Sequence, residues 1–180
     1  TKMEAGVILY GMMLYPYGGT VDDLLVYKYT KEKFLLVVNA ANIDKDFAWI
    51  CSNKGFDATA YNLSDEYGQI AIQGPDAEKI CKDVLGLDLS DLTFYTFKEV
   101  DGVIASRTGY TGDDGFEIYQ SPEKTVEFWN KLIAAGVQPC GLGCRDTLRF
   151  EAGLPLYGHE LSSEISPVVA GLSMFCKLDK

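Results

Sequence analysis

Histidine is almost missing from this sequence: one residue in 180, His159. A multi-histidine zinc site is excluded, and a Ser–His–Asp relay would have to run through that single ring. Basic side chains are also scarce, 16 against 26 acidic ones, for a net charge of −10. Phosphate-backbone binding needs a basic face, and no Lys/Arg run supplies one, so nucleic acid is not an expected partner. Long apolar runs are absent. None approaches the roughly 20 residues of a spanning helix, and no signal peptide is visible, so no membrane partner is expected. Cysteine pairing signals are missing too. Cys51, Cys81, Cys140, Cys144 and Cys176 are odd in number and contain no C-x-x-C pair. Cys140 and Cys144 lack a second ligand pair, so no metal is expected. Reduced thiols point to the cytoplasm, or to the mitochondrial matrix in a eukaryote.

What is present is a globular composition, 47% hydrophobic and 23% charged, in a chain long enough to bury a core without staples. Val7–Tyr15, Asp23–Tyr29 and Phe34–Asn39 read as three strands of an antiparallel meander, with Pro16-Tyr17-Gly18-Gly19 as a turn. Asn42–Asn53 changes to a helical period. Ile43, Phe47, Ile50 and Cys51 share one face, Asp44, Lys45 and Asp46 face away, and Asn42 is the expected N-cap. Asp57–Leu63 is a further strand candidate.

A similar order then recurs. Tyr67–Gln73 is a strand, and Pro75 is expected at the first position of a helix running to about Leu85. Phe94–Glu99, Val103–Thr108 and Phe116–Gln120 are strands. Pro122 opens a helix with Val126, Trp129, Leu132 and Ile133 as its apolar face. A last helix covers about Cys144–Ala152, and the tail from Leu154 is mostly loop. Two strand-rich blocks carrying helices predict an α+β fold with antiparallel sheets, divided into residues 1–63 and 64–180.

Four patches can carry chemistry. In Gly18-Gly19-Thr20-Val21-Asp22-Asp23, adjacent acids on a strand point to opposite faces, and Asp23 shares its face with Leu25 and Tyr27. A carboxylate on an apolar face is costly unless partnered, which makes Asp23 a functional candidate; the alternative is a pair of turn residues. Arg107 to Glu117 holds three glycines within seven residues, a loop that lets backbone approach a planar ligand while Glu117 accepts parallel N–H bonds. The alternative is a bulged hairpin with a solvated Glu. Arg145 and Arg149 lie one helical turn apart. Arg145 near a helix start opposes the dipole; a specific job such as pairing a carboxylate would explain that placement, and surface ion pairing with Asp146 or Glu151 is the alternative. In Tyr157-Gly158-His159-Glu160, a lone His in a Gly-containing loop reads as exposed and inert rather than as a general base.

Taken together, the patches resemble the aminomethyltransferase (T-protein) family of the glycine cleavage system. The resemblance rests on Gly18-Gly19 with Asp22-Asp23-Leu24, Leu36-Val37-Val38-Asn39-Ala40, Asn42 with Lys45-Asp46, Gln73-Gly74-Pro75, and Arg107 through Glu117. It continues through Pro139 with Gly141-Leu142-Gly143, Arg145-Asp146 with Leu148-Arg149, Glu151-Ala152-Gly153, and Leu156-Tyr157-Gly158. The resemblance implies transfer of a one-carbon unit from an aminomethyl-lipoyl H-protein to tetrahydrofolate, with release of ammonia. It implies Asp23 as catalytic acid and Tyr10, Tyr27, Asn39, Tyr110, Glu117 and Arg145 as folate-site residues. Asp23 would orient the folate amine, Glu117 grip the pterin, and Arg145 complement a carbonyl or acidic part of folate.

The family fold is two ferredoxin-like units followed by a barrel. An N-terminal Gly-Met-Phe-Asp-like segment and the barrel are not in this sequence, which is expected to be the middle of a larger enzyme. Cys144 stands where the family usually has Ala, and His159 where it usually has Gln. Two other readings remain open. One is the folate domain of a sarcosine- or dimethylglycine-oxidising enzyme. The other is a non-catalytic folate scaffold related to iron–sulfur maturation factors, whose Lys-Gly-Cys motif is not found here.

Overall fold

Three short apolar-rich strands joined by tight turns build the first sheet. The structure, a computed structural model, describes residues 3–55 and 57–177. Strands β1 (Ile8–Leu14), β2 (Thr20–Lys28) and β3 (Phe34–Val38) form an antiparallel meander in the order β1-β2-β3. The β1–β2 turn needs Gly18 at φ +93°, a conformation that costs other residues a Cβ clash. Pairing Met12 with Asp23, Tyr10 with Leu25 and Ile8 with Tyr27 puts these six side chains on one face. Asp22 and Leu24 point to the other, where both are buried.

Helix α1 (Ile43–Asn53) follows. Its expected apolar face is only half-buried, and the one fully buried residue is Asp46, which helical periodicity alone turns outward. Asp57–Leu63 forms no strand. No ladder partner lies beside it among the described residues, and Tyr61 stays 75% exposed.

In the second sheet β4 (Gly68–Gln73), β5 (Phe97–Val100), β6 (Val103–Ser106) and β7 (Gly115–Gln120) are antiparallel in the order β4-β7-β6-β5. Helices α2 (Ala77–Leu85) and α3 (Pro122–Ala134) cover one face of it. Ile70, Ile72, Val103, Ala105, Phe116 and Ile118 meet Ala77, Cys81, Leu85, Phe128 and Leu132 there. Packing them together stabilises the unit by about 25 cal/mol per Å² of apolar surface removed from water. Pro75 precedes α2 in a turn rather than opening it. The face of α3 that packs runs through Phe128 and Leu132, one turn apart, while Val126, Trp129 and Ile133 are exposed. Strand β5 starts later than expected because Thr93–Thr96 is a turn and Tyr95 takes φ +63°. Helix α4 (Leu142–Glu151) closes this part.

The fold divides the chain into Thr1–Asn62 with Pro155–Lys180, and Leu63–Leu154. The tail, assigned from sequence to the second unit, belongs with the first. Hydrogen bonds explain the difference: the Thr20 N–H donates to the Ser162 carbonyl at 2.9 Å, and the Thr20 hydroxyl to the Ile165 carbonyl at 2.8 Å. A Cβ at Gly19 would overlap the Ser163 carbonyl, so glycine is what lets the tail lie against the start of β2.

Candidate functional site

Two clusters, one in each unit, gather the sequence-predicted residues. In the first unit Tyr10, Asp23 and Asn39 come together. The Tyr10 hydroxyl donates to Asp23 Oδ2 at 2.9 Å, across the diagonal that the β1–β2 register creates. The Asn39 side-chain amide donates to Asp23 Oδ1 at 2.9 Å. Asp23 is half-buried. Burial pushes its pKa up, the bonds from Tyr10 and Asn39 pull it back, and the neighbouring Asp22 charge raises it again. The result is a carboxylate with both oxygens oriented and its basicity increased. Tyr27 lies on the same face, fully buried, two side-chain steps farther along β2.

Behind this face lies a polar cluster that the sequence reading did not identify as such. Asp22 is wholly buried. Its Oδ1 accepts from Asn39 Nδ2 at 2.8 Å and from Asn42 Nδ2 at 3.0 Å, and its Oδ2 accepts from the Asn39 backbone N–H at 3.2 Å. Asn42 does sit at the start of α1, but its side chain serves Asp22 and makes no capping bond. Lys45 Nζ donates to the Val21 carbonyl, lies 3.5 Å from Asp46 Oδ1, and rests 4.1 Å from the centre of the Tyr157 ring. A D-D pair followed by N-x-x-N-x-x-K-D was the available signal, and helical periodicity alone could not tell that Asp46 points inward.

In the second unit Glu117 projects from β7 on the face away from α2 and α3, level with Ala71 and Ser106. Gln69 Nε2 donates to Glu117 Oε1 at 2.7 Å and the Thr108 hydroxyl donates to Oε2 at 2.6 Å. Burial raises the Glu117 pKa, opposed by Thr108, by the Arg145 charge and by Gln69. The Arg145 guanidinium stacks on Tyr110 with 4.3 Å between its carbon and the ring centre. No carboxylate lies within ion-pairing distance of Arg145 among the described residues. Its neighbour Arg149 is buried and pairs with Asp146 at 2.8 Å, so the two arginines of one helix face have different jobs.

The glycines of the Arg107–Glu117 loop make room for Gln73. Gln73 Nε2 donates to the carbonyls of Thr108 and Phe116, each at 3.2 Å, and a Cβ at Gly109 would overlap its amide. Arg107 is structural, bridging Asp114 and Glu78 and donating to the Leu92 carbonyl at 2.9 Å. His159 is exposed in a turn.

Chemically, the first cluster presents an oriented carboxylate beside an aromatic hydroxyl. The second presents a carboxylate with two fixed acceptor oxygens near a stacked guanidinium. The acceptor oxygens of Glu117 suit a flat, hydrogen-bond-donating heterocycle, and the Arg145 cation suits an acidic group on it.

The chain is 53% identical over 188 aligned residues to the aminomethyltransferase of Alkaliphilus oremlandii, covering 99% of this chain and 51% of that protein. It is 54% identical over 188 to that of Natranaerobius thermophilus, covering 99% and 52%. The crystal structure of the glycine cleavage system aminomethyltransferase T from Bartonella henselae superposes with a TM-score of 0.92 at 31% identity, covering 99% of this chain and 49% of that one. The chain thus spans about half the length of the curated relatives it matches. The family model described as the GCVT N-terminal domain matches residues 1–180, and with sequence and fold agreeing, the chain belongs to that family.

Proposed function

We propose that this chain is the folate-binding portion of a tetrahydrofolate-dependent aminomethyltransferase of the glycine cleavage system. The overall reaction takes the one-carbon unit from an aminomethyl-lipoyl H-protein to tetrahydrofolate. It yields methylenetetrahydrofolate, ammonia and the dihydrolipoyl H-protein. The observation that carries this reading is Asp23, a half-buried carboxylate with both oxygens held, by Tyr10 and by Asn39.

Each role follows from the chemistry of the side chain. A transfer to an amine needs that amine oriented and the growing positive charge on the moving carbon stabilised. An ionised Asp23 does both, and needs neither a nucleophilic side chain nor a histidine. Tyr10 and Asn39 hold the carboxylate in place. In the second unit Glu117 can accept two parallel N–H bonds from a pterin, because Gln69 and Thr108 have fixed its oxygens. Tyr110 offers a ring face and Arg145 a cation for a carbonyl or carboxylate of the same substrate. Tyr27 supports the Asp23 strand from inside. A reducing compartment, the cytoplasm or a mitochondrial matrix, accords with five free thiols.

The test is made in the whole protein. Asp23→Asn is expected to cripple transfer to tetrahydrofolate while calorimetric affinity for tetrahydrofolate largely survives. Near-normal turnover of that variant would remove Asp23 from the mechanism, and absence of any tetrahydrofolate binding by the wild type would sink the reading altogether.

A further inference from the structure

Asp46 has an unusual setting. Its side chain is completely buried, and neither carboxyl oxygen receives an N–H or O–H from any described residue. The ammonium of Lys45 is 3.5 Å away and already donates to the Val21 carbonyl. The carboxyl that acts on it is that of Asp22, through hydrogen bonding and through its charge, and both groups are wholly buried. Two ionised carboxylates in contact and away from water repel each other and lose their hydration together. One of them therefore carries a proton.

Hydrogen bonding tells which. All three bonds that Asp22 makes in its network come from N–H donors: the Asn39 amide, the Asn39 backbone and the Asn42 amide. In each of those bonds Asp22 is the acceptor, and one lone pair is left for a fourth donor. Asp46 has only the Lys45 ammonium at 3.5 Å, shared with the Val21 carbonyl, so the neutral form suits it better than it suits Asp22.

We propose that Asp46 is a positioning residue. It is kept as a neutral carboxylic acid that donates its O–H to Asp22, and through Asp22 and Asn39 it fixes the orientation of the Asp23 carboxylate. The chain of contacts is Asp46 to Asp22, Asp22 to the Asn39 side chain, and the same Asn39 nitrogen to Asp23. The groups facing Asp46 are Asp22 from β2, Lys45 from its own helix and, through Lys45, Tyr157 from the tail. Burial, then the bond to Asp22 and its charge, push the Asp46 pKa up to about 8, with Lys45 opposing. Loss of its proton above that pH places a second charge against Asp22 and withdraws the fourth donor.

The functional part of this proposal rests on Asp23 being the reacting carboxylate; the protonation of Asp46 does not. Carbon-13 NMR of carboxyl-labelled protein, with Asp46→Asn to assign the signal, tests the protonation directly. A neutral Asp46 carboxyl near pH 6 is expected, and an ionised one overturns the proposal. In the whole protein Asp46→Leu is expected to lower kcat by roughly ten- to hundredfold, with KM for tetrahydrofolate little changed. Asp46→Asn, which keeps an N–H donor, is expected to recover most of that loss and to flatten the alkaline limb of the pH–rate profile. In an Asp23→Asn background Asp46→Leu should add no further loss. An additive loss there, or failure of Asn to outperform Leu, overturns the positioning role. Normal turnover of Asp23→Asn alone would instead overturn the assignment of Asp23.

Discussion

One amide serves two carboxylates in the first unit: Asn39 Nδ2 lies 2.8 Å from Asp22 Oδ1 and 2.9 Å from Asp23 Oδ1. The Asn39 backbone carries the chain from β3 into the short helical turn Ala40–Asn42 that precedes α1. That placement is what brings its side chain over β2.

Removing that side chain strips a buried acceptor of a donor. Asn39→Ala is expected to destabilise the first unit by about 1–3 kcal/mol, the usual penalty for an unsatisfied buried polar group. Urea denaturation measures it. Asn39→Asp is expected to be worse, because it replaces the donor with a third negative charge. A midpoint unchanged in Asn39→Ala would show that water replaces the amide at no cost.

Much of the first sheet was legible from apolar runs set off by the Pro16–Gly19 and Lys31–Lys33 turns, because each strand pairs with its sequence neighbour and local pattern suffices. Asp23 was legible from the cost of placing a carboxylate beside Leu25 and Tyr27. The rest depended on distant partners. Asp57–Leu63 reads like a strand yet has no ladder to join among the described residues. Asp46 lies on a polar helical face by periodicity, and only Asp22 and Asn42 explain why that face turns inward. The return of 155–180 to the first unit rests on bonds to Thr20, which no local pattern announces. In the second unit Glu117 was visible in its glycine-rich loop, but the donors that orient it, Gln69 and Thr108, come from β4 and from just beyond β6.

Glu117 yields a pH dependence. Burial raises its pKa, so it protonates at a higher pH than a free glutamate. An ionised carboxylate is the form that accepts two N–H bonds. Affinity for tetrahydrofolate, read by calorimetry in the whole protein, is therefore expected to fall as pH drops through that raised pKa. It should do so less steeply in Glu117→Gln, whose affinity is lower throughout. For stability the sign is the same as for any acid with a raised folded-state pKa. The folded form binds the proton more tightly, so this group favours folding most at low pH and loses that contribution as pH rises through the raised value.

Two glycines of the second unit should respond oppositely to alanine. A Cβ at Gly109 overlaps the Gln73 amide, whose bonds to the Thr108 and Phe116 carbonyls tie the loop to β7. Gly109→Ala is expected to cost about 1–3 kcal/mol by overpacking. Gly143, inside α4, has open space within 4 Å of where a Cβ would stand and no positive φ. Gly143→Ala is expected to stabilise the helix by about 0.5–1 kcal/mol through reduced backbone entropy in the unfolded chain. Thermal melts of the two variants decide it, and a stabilising Gly109→Ala would refute the packing described for Gln73.

The cysteines offer a probe of the second core. Cys81 is fully buried between α2 and the sheet, and burial pushes its pKa up to about 12, with a further push from Glu78. Cys140 and Cys144 are exposed near the start of α4. Alkylation by iodoacetamide at neutral pH requires a thiolate that solvent can reach. Mass spectrometry of digested protein should show Cys140 and Cys144 labelled early, and Cys81 only as the core opens. Because reagent reaches Cys81 through that opening, its labelling rate should rise with added urea while the exposed thiols change little. Equal rates at all three positions in native buffer would mean that α2 does not seal the sheet, and that the core drawn around Phe116 and Ile118 is not closed.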